Sequence, residues 1–212
     1  MCIRDRHYAG DTLLHAEKSA CGEAVLELIE LLTGSVTEQE ANLLYIAVTT
    51  DTGCFQYANT NAATLRAAAR LLELGADNRK VSMEFFRKIS RARMALVGHI
   101  YSGMRFFRGG QIAIAVVTRA LIDALQATED DCDDIAGLPG RADGVVVSVT
   151  IRELTDGRSK ISVRTPPEVD SCAICAVYGG GGHKMASGCT LTCDPETAVE
   201  KILAAIDQVW PA

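Results

Sequence analysis

The stretch AVYGGGGHKMASGCTL, residues 176–191, places four consecutive glycines directly before a histidine. Because glycine has no Cβ, several backbone N–H groups of such a run can converge on one point, and concave nests of this kind bind anions, most often phosphate. A histidine side chain can donate to a phosphate oxygen or transfer a proton near neutral pH, which makes His183 a candidate for either role. From the residues alone, a flexible surface turn beside a solvated histidine explains the run about equally well.

The segments around the glycines predict an α+β domain with a mixed sheet after residue 103. Apolar residues come there in short, strand-sized runs separated by turns that contain glycine. The run MRFFRGGQIAIAVV, residues 104–117, predicts a hairpin with its turn at Gly109 and Gly110. In chain order, the pattern further predicts a helix and then a loop over 130–142, strands over 143–154 and 158–165, a short helix that runs into the glycines, a strand over 188–193 and a helix over 194–210.

Residues 18 to about 102 are predicted to be nearly all helical. Thr37 and Glu40 have the spacing of a capping box at the start of one helix, and Gly34 is placed to end the helix before it. Gly75 closes a third helix, and Asp77 opens a further helical stretch. A run of helices with so few strands to pack against is the pattern expected of an α/β domain that lacks its sheet.

Composition and charge narrow the class of protein. The chain has 212 residues, 48% of them hydrophobic and 23% charged, with a net charge of −6. This charge argues against a long basic track for nucleic acid, but it allows a small pocket for a short charged ligand. No apolar run approaches the roughly 18 residues that cross a bilayer, and residues 1–20 are too charged for a signal peptide. We therefore expect a cytoplasmic protein without membrane association, in which the eight cysteines are reduced thiols.

The longer stretch RTPPEVDSCAICAVYGGGGHKMASGCTL, residues 164–191, resembles the C-terminal substrate-binding domain of the DHH phosphoesterase family. The shared pattern is an arginine at the end of a strand, a short helix of small residues, a GGGH sequence, more small residues and a strand. The resemblance implies that the glycine run grips the phosphate end of a nucleotide, that the arginine helps to hold it, and that His183 is also the candidate catalytic residue. The implied substrate-binding residues are Arg164, Gly179, Gly180, Gly181, Gly182 and His183.

A second resemblance lies in AVTTDTGCFQYANTN, residues 47–61. In DHH phosphoesterases of the nanoRNase/pAp phosphatase type, the aspartate of the TDTG sequence is one ligand of a two-manganese centre, and the matching residue here is Asp51. Hard oxygen ligands suit Mn²⁺, and two such ions can activate a water and neutralise phosphoryl oxygens. Without the resemblance, Asp51 is more simply a turn residue at a helix end.

The resemblance runs from about Tyr8 to Trp210 and lacks the Asp-His-His signature that supplies further metal ligands in the family. We therefore expect three parts: the C-terminal part of a Rossmann-like DHH catalytic domain over 1–88, a linker helix over 89–103, and the GGGH substrate-binding domain over 104–212. Residues 1–6 fit nothing in the pattern and are expected to be non-native.

Two groups of residues offer alternative metal sites. Asp5, His7 and His15 are suitable ligand types, but a poorly ordered terminus explains them better than their spacing does. The pairs Cys172/Cys175 and Cys189/Cys193 have spacings that allow a four-cysteine zinc site. Thiols that fill small core positions are the favoured explanation for these cysteines.

The expected function is therefore that of a metal-dependent phosphoesterase, with short oligoribonucleotides or pAp as its ligands and a homodimer left open. Since most of the implied metal site is missing, we expect this chain to bind nucleotide without efficient turnover. Three alternatives remain: a cyclic-dinucleotide phosphodiesterase, a RecJ-like single-strand exonuclease, and a non-catalytic nucleotide- or zinc-binding module.

Overall fold

The computed structural model describes His15 and residues 17–211, and the chain divides into two compact units after Lys88. Each unit has a buried apolar core of its own. Residues 1–6, together with the candidate ligands Asp5 and His7, lie outside the described residues. No helix within the described part of the chain is both long and apolar enough to cross a bilayer.

The first unit consists of helices, with no strand among its described residues. The predicted capping box is present, because the Thr37 amide donates to the Glu40 carboxylate at 2.8 Å and the Glu40 amide donates to Thr37 Oγ1 at 3.3 Å. The helices are α1 (Cys21–Thr33), α2 (Glu38–Asp51), α3 (Ala62–Glu73) and α4 (Asn78–Ser82), and α4 continues as a π-helical turn over Met83–Arg87.

A buried carboxylate ties the start of α1 to α3. Glu23, which is 3% exposed, accepts hydrogen bonds from the amides of Ser19 and Ala20 at 3.0 and 3.1 Å and from Thr64 Oγ1 at 3.1 Å. The Ala20 cap has no polar side chain, so Glu23 supplies the acceptor that the first amides of the helix need.

The second unit is built on one mixed six-stranded sheet, as predicted. The strand order is β1-β2-β3-β4-β6-β5, in which β2 and β3 are parallel and every other neighbouring pair is antiparallel. Helix α5 (Arg91–Ser102), expected as a separate linker, belongs to this unit. The remaining elements are β1 (Arg105–Phe107), β2 (Ile112–Val117), α6 (Arg119–Ala124), β3 (Val147–Glu153), β4 (Ser159–Arg164), α7 (Ser171–Ala176), β5 (Gly181–His183), β6 (Ala186–Leu191) and α8 (Pro195–Val209).

The two faces of the sheet have different coverings. Alternate residues of β3, β4 and β6, such as Ile151, Ile161 and Leu191, point into an apolar core closed by α7 and α8. On the other face, α5 and α6 pack over β2 around Leu96, Ile100 and neighbours. Beyond them, the outer face of β4, β6 and β5 is partly or fully exposed. This outer face is where the candidate site lies.

The prediction of a helix within residues 130–142 is wrong. Three short 3-10 turns form there instead, over Asp130–Cys132, Ile135–Gly137 and Pro139–Arg141. The carboxylate of Asp131, which is 9% exposed, accepts hydrogen bonds from the Thr128 amide at 2.8 Å and Thr128 Oγ1 at 2.9 Å. It also accepts one from Ser90 Oγ, which caps α5. These bonds to residues outside the helix favour the local turn over a continuous helix.

Replacing Asp131 by asparagine is expected to destabilise the second unit at neutral pH. Hydrogen bonds from Ser90 and then Thr128 favour the charged carboxylate and hold the pKa of Asp131 below its ordinary value. The stabilisation is complete above the unfolded pKa of about 3.9 and is lost as the pH falls through the lower folded value. Urea unfolding of both proteins should therefore show a difference at neutral pH that shrinks toward about pH 3.

The matched control is Asp130→Asn, since Asp130 is exposed and its side chain accepts no hydrogen bond within the described part of the chain. That variant should unfold as the unaltered protein does. A difference between Asp131→Asn and the unaltered protein that stays constant with pH would contradict the proposed role of the charge.

Candidate functional site

The sheet register brings Arg164 and His183 into one row. Arg164 of β4 lies opposite Ala186 of β6, and Ala186 lies opposite His183 of β5. Residues directly opposite one another in antiparallel strands share a face of the sheet. Two strand spacings separate the Cα atoms of Arg164 and His183, which is about 10 Å. The two side chains that sequence reasoning singled out therefore flank a common strip of the outer face.

The floor between these side chains is nearly bare. In the first row it is Ala186, and in the next row Ser162 of β4 is followed by Gly188 and Gly181. No side chain on the β6 and β5 positions of this floor is larger than a methyl group, so a ligand can approach the backbone closely. The arrangement is a shallow trough with a cation on one side and an imidazole on the other.

Arg164 sits between two clefts. One, of about 190 Å³, lies between the outer face of β3 and β4 and the turns around residues 132–136. The other, of about 360 Å³, is lined by Gly140, Ser148 and Thr165 among others. The guanidinium Nη1 donates to the Val163 carbonyl at 3.0 Å, and no carboxylate of the described residues forms an ion pair with it. Its positive charge is held in place and remains available to a ligand.

His183 is exposed on the edge strand, and helix α7 anchors its backbone. The Ser171 hydroxyl donates to the His183 carbonyl at 3.1 Å, and the Ser171 amide donates to the Lys184 carbonyl at 2.8 Å. No hydrogen bond of the imidazole is formed within the described residues. The backbone at His183 is therefore fixed while both ring nitrogens face solvent.

The flexible surface turn that the residues alone allowed is not formed at the centre of the run. Gly181 and Gly182 belong to strand β5 and pair with Gly188 and Ser187 of β6. A Cβ on Gly180 would come within 2.4 Å of the Gly188 carbonyl oxygen, and one on Gly182 would come within 2.6 Å of the Ala186 oxygen. Side chains are absent here because the chain presses against β6, so close packing explains these glycines better than mobility does.

The expected nest of free amides is only partly available. The Gly179 amide donates to the Ala176 carbonyl at 3.0 Å, and the Gly180 amide donates to the Cys175 carbonyl at 2.9 Å. The residues that follow are in the ladder with β6. The Gly179 and Gly180 amides are already paired within the chain and cannot cradle a phosphate, whereas alternate amides of the edge strand β5 point away from β6.

Asp51 is the last residue of α2, and an unusual turn follows it. Its carbonyl accepts a hydrogen bond from Asn59 Nδ2 at 3.1 Å, and the residue is exposed. Gly53, Cys54 and Phe55 then have φ values of 55°, 56° and 66°. Left-handed conformations of non-glycine residues cost of order 1 kcal/mol each and are concentrated at functional sites.

The described residues do not fit the implied two-manganese centre. Among them, no group of three or more His, Cys, Asp or Glu side chains is placed to hold a metal ion. A single aspartate, Asp51, offers too few oxygen ligands for two such ions. His15 makes a 2.9 Å contact with Glu17 and is not gathered with other metal-ligand types.

The four cysteines of the zinc alternative do not form a described metal cluster either. Cys175 of α7 and Cys189 of β6 are buried in the core on the inner side of the sheet. A hydrogen bond from the Cys189 thiol lowers the pKa of Cys175 to about 7, and the same bond raises the pKa of Cys189. Their location agrees with thiols that fill small core positions beneath the glycine run.

Several residues around Arg164 were not predicted as site residues from the sequence. The acidic part of the segment 130–142, where a helix and then a loop were predicted, contributes Asp133 and Asp134 to the 190 Å³ cleft, and β4 contributes Lys160 and Ser162. The sequence could have indicated the β4 residues, because the alternation of apolar and polar residues in RSKISVRT places Lys160, Ser162 and Arg164 on one face of the strand. Nothing in the local pattern indicates that the acidic turns lie over that face.

The second unit matches a known domain family. Residues 109–210 match the DHHA1 domain. The chain is 36% identical over 191 residues to the bifunctional oligoribonuclease and PAP phosphatase NrnA of Thermus thermophilus, across 89% of this chain and 56% of that protein. It is 31% identical to the protein of the same name from Mycoplasma genitalium, across 82% of this chain and 53% of that protein.

A solved structure supports the same relationship. An exopolyphosphatase-related protein from Bacteroides fragilis superposes with a TM-score of 0.85 at 25% identity, over 96% of this chain and 60% of that chain. The chain spans about half the length of the curated relatives it matches.

Proposed function

Because this chain belongs to the DHH phosphoesterase family, we propose that it supplies the substrate-binding part of a hydrolase that degrades short oligoribonucleotides, dephosphorylates pAp, or does both. The outer face of β4, β6 and β5 binds the terminal phosphate, with Arg164 on one side and His183 on the other. Relatives described as oligoribonucleases and PAP phosphatases support this substrate class.

The observation that carries the proposal is the row Arg164–Ala186–His183 across the sheet. A planar guanidinium without a carboxylate partner is suited to bidentate contact with a phosphate. The imidazole on the far side can donate to the same group, and the glycine and alanine floor leaves room for it. His183 is the candidate for proton transfer in the complete enzyme, since an imidazole can both accept and donate a proton.

This chain is proposed to bind nucleotide without efficient turnover. Its described residues offer Asp51 alone toward a metal centre, so Mn²⁺ in the complete enzyme would require ligands that the described residues do not contribute. Binding needs only the side chains of the second unit, whereas hydrolysis would need an activated water that no described cluster of side chains provides.

We expect the chain to bind a 5′-labelled diribonucleotide in the presence of Mn²⁺ without releasing mononucleotide. Binding is measured by equilibrium dialysis, and cleavage is followed by chromatography of the same samples, with EDTA replacing Mn²⁺ as the control. Efficient cleavage with Mn²⁺ but not with EDTA would overturn the proposal of binding without turnover. Absence of both binding and cleavage would overturn the substrate-binding role itself.

Competition distinguishes the alternatives within the family. A cyclic dinucleotide has no terminal phosphate, so it should displace the diribonucleotide poorly if Arg164 and His183 grip that group. A long single strand should gain little over a tetranucleotide, because the chain carries a net charge of −6 and an acidic surface disfavours an extended polyanion. Stronger competition by either ligand would favour the cyclic-dinucleotide or single-strand exonuclease alternative.

A further inference from the structure

Lys160 and Arg164 lie on the same outer face of β4, with Ser162 between them. The intervening Ile161 and Val163 are completely buried on the inner face. Four residues of strand separate the Cα atoms of Lys160 and Arg164, which corresponds to about 13 Å. Both side chains line the same 190 Å³ cleft. One cleft therefore carries two cationic positions separated along the strand.

The charge of Lys160 is available to a ligand. No carboxylate among the described residues forms an ion pair with Lys160 or with Arg164. Arg152, which lines the same cleft, is different because its Nη1 is bound to Glu129 at 2.7 Å. Since Arg152 is already neutralised, Lys160 and Arg164 are the two cations of this cleft that a phosphate can engage.

The surface between the two cations suits a sugar or a base. Ser162 offers a hydroxyl, and its cross-strand neighbour Gly188 offers bare backbone. A Cβ on Gly188 would stand 2.9 Å from the Ile161 carbonyl oxygen, so a side chain is disfavoured at this position and the backbone stays bare. Asp133 and Asp134 also line the cleft and can accept hydrogen bonds from ribose hydroxyls or base amino groups.

We propose that Lys160 binds a second phosphate, further along an oligonucleotide whose terminal phosphate lies at Arg164. This inference rests on the proposed function and adds the direction in which the substrate extends, which is along β4 away from Arg164. Ligands with phosphates on a single nucleoside, such as pAp, remain at the Arg164 end. Lys160 therefore strengthens binding only when the ligand is long enough to reach it, and it helps to set the preferred substrate length.

Lys160→Ala should weaken binding in a length-dependent way. Isothermal titration with 5′-phosphorylated oligoadenylates of increasing length, from AMP to the tetranucleotide, and with pAp is carried out in EDTA. We expect about fivefold weaker binding of the longer oligoadenylates, with less than about twofold change for AMP and pAp. The salt dependence of tetranucleotide binding should also fall, by about 0.7 in the slope of log K against log salt.

Lys201→Ala is the matched control. Lys201 is an exposed lysine of α8, the helix that covers the opposite face of the sheet. This variant removes the same charge and should leave all affinities unchanged, and thermal melts confirm that both variants fold.

Two results would overturn the inference while leaving the proposed function intact. An equal loss of affinity for pAp and the tetranucleotide in Lys160→Ala would mean that Lys160 acts on the same phosphate as Arg164. Unchanged affinity for every ligand would mean that Lys160 contacts no phosphate. If the unaltered chain bound neither pAp nor any oligoadenylate, the proposed function would fail together with the inference.

Discussion

Replacing Gly180 by alanine is expected to destabilise the second unit by about 2 kcal/mol or more, whereas Gly181→Ala should change its stability by less than about 0.5 kcal/mol. The added Cβ at Gly180 would lie 2.4 Å from the Gly188 carbonyl oxygen, 2.5 Å from Cys189 Cβ and 2.9 Å from Cys189 Cα. These are backbone and core atoms of the neighbouring strand, so they cannot swing aside. At Gly181 no heavy atom lies within 4 Å of the added carbon.

Urea unfolding followed by tryptophan fluorescence measures this difference. Trp210 is the single tryptophan of the chain and packs against the core of the second unit, so its signal reports on that unit. Gly179→Ala is an informative third variant, because Gly179 has a φ of 69° with open space around it and should lose about 1 kcal/mol through backbone strain alone. Equal unfolding midpoints for Gly180→Ala and Gly181→Ala would show that Gly180, directly before β5, does not press against β6 as described.

Arg164→Ala is expected to weaken binding of pAp by about 30-fold, equivalent to about 2 kcal/mol for lost hydrogen bonds to a charged group. The affinity of Arg164→Lys for pAp should lie between those of the unaltered chain and Arg164→Ala, since lysine keeps the positive charge but lacks the planar guanidinium. His183→Ala should cost about fivefold, because an exposed imidazole contributes one hydrogen bond. Isothermal titration with pAp in EDTA measures all three affinities.

The control for this series is Arg158→Ala. Arg158 lies in the turn between β3 and β4, where its guanidinium is paired with Asp156 at 2.7 Å. Its removal should leave the affinity for pAp unchanged. The double variant Arg164→Ala/His183→Ala tests whether both side chains hold one group, since residues that share a ligand give non-additive losses. Unchanged pAp affinity in Arg164→Ala would remove the basis of the proposed site.

Local chemistry predicted the starts and ends of the helices well. Thr37 with Glu40 and Asp194 with Pro195 mark helix starts, and the structure has α2 and α8 beginning directly after Thr37 and Asp194. Gly34 ends α1 in the left-handed conformation with a φ of 70°. Capping depends on residues within one turn of each other, so the sequence pattern contains all the information that is needed.

Prediction failed where contact with another segment of the chain decided the conformation. The acidic run at 130–134 has the composition of a helix start, but Asp131 binds Ser90 and Thr128 and the chain forms 3-10 turns. From the residues alone a flexible turn explained the glycine run about equally well, yet Gly180 and Gly182 are pressed against β6. The Asp131–Ser90 contact joins residues 41 positions apart, and the pairing of β5 with β6 depends on a register that the composition of the glycine run does not specify.

The amino-acid sequence by itself determined the kinds of elements, their caps, and the presence of an arginine and a glycine-flanked histidine suited to phosphate. Only the tertiary structure decided that Arg164 and His183 share a row, that their floor is bare, and that Lys160 and the acidic turns border the same cleft. The physical reason is that caps and alternation act over a few residues. Cross-strand register and the covering of a sheet face depend on which distant segments meet.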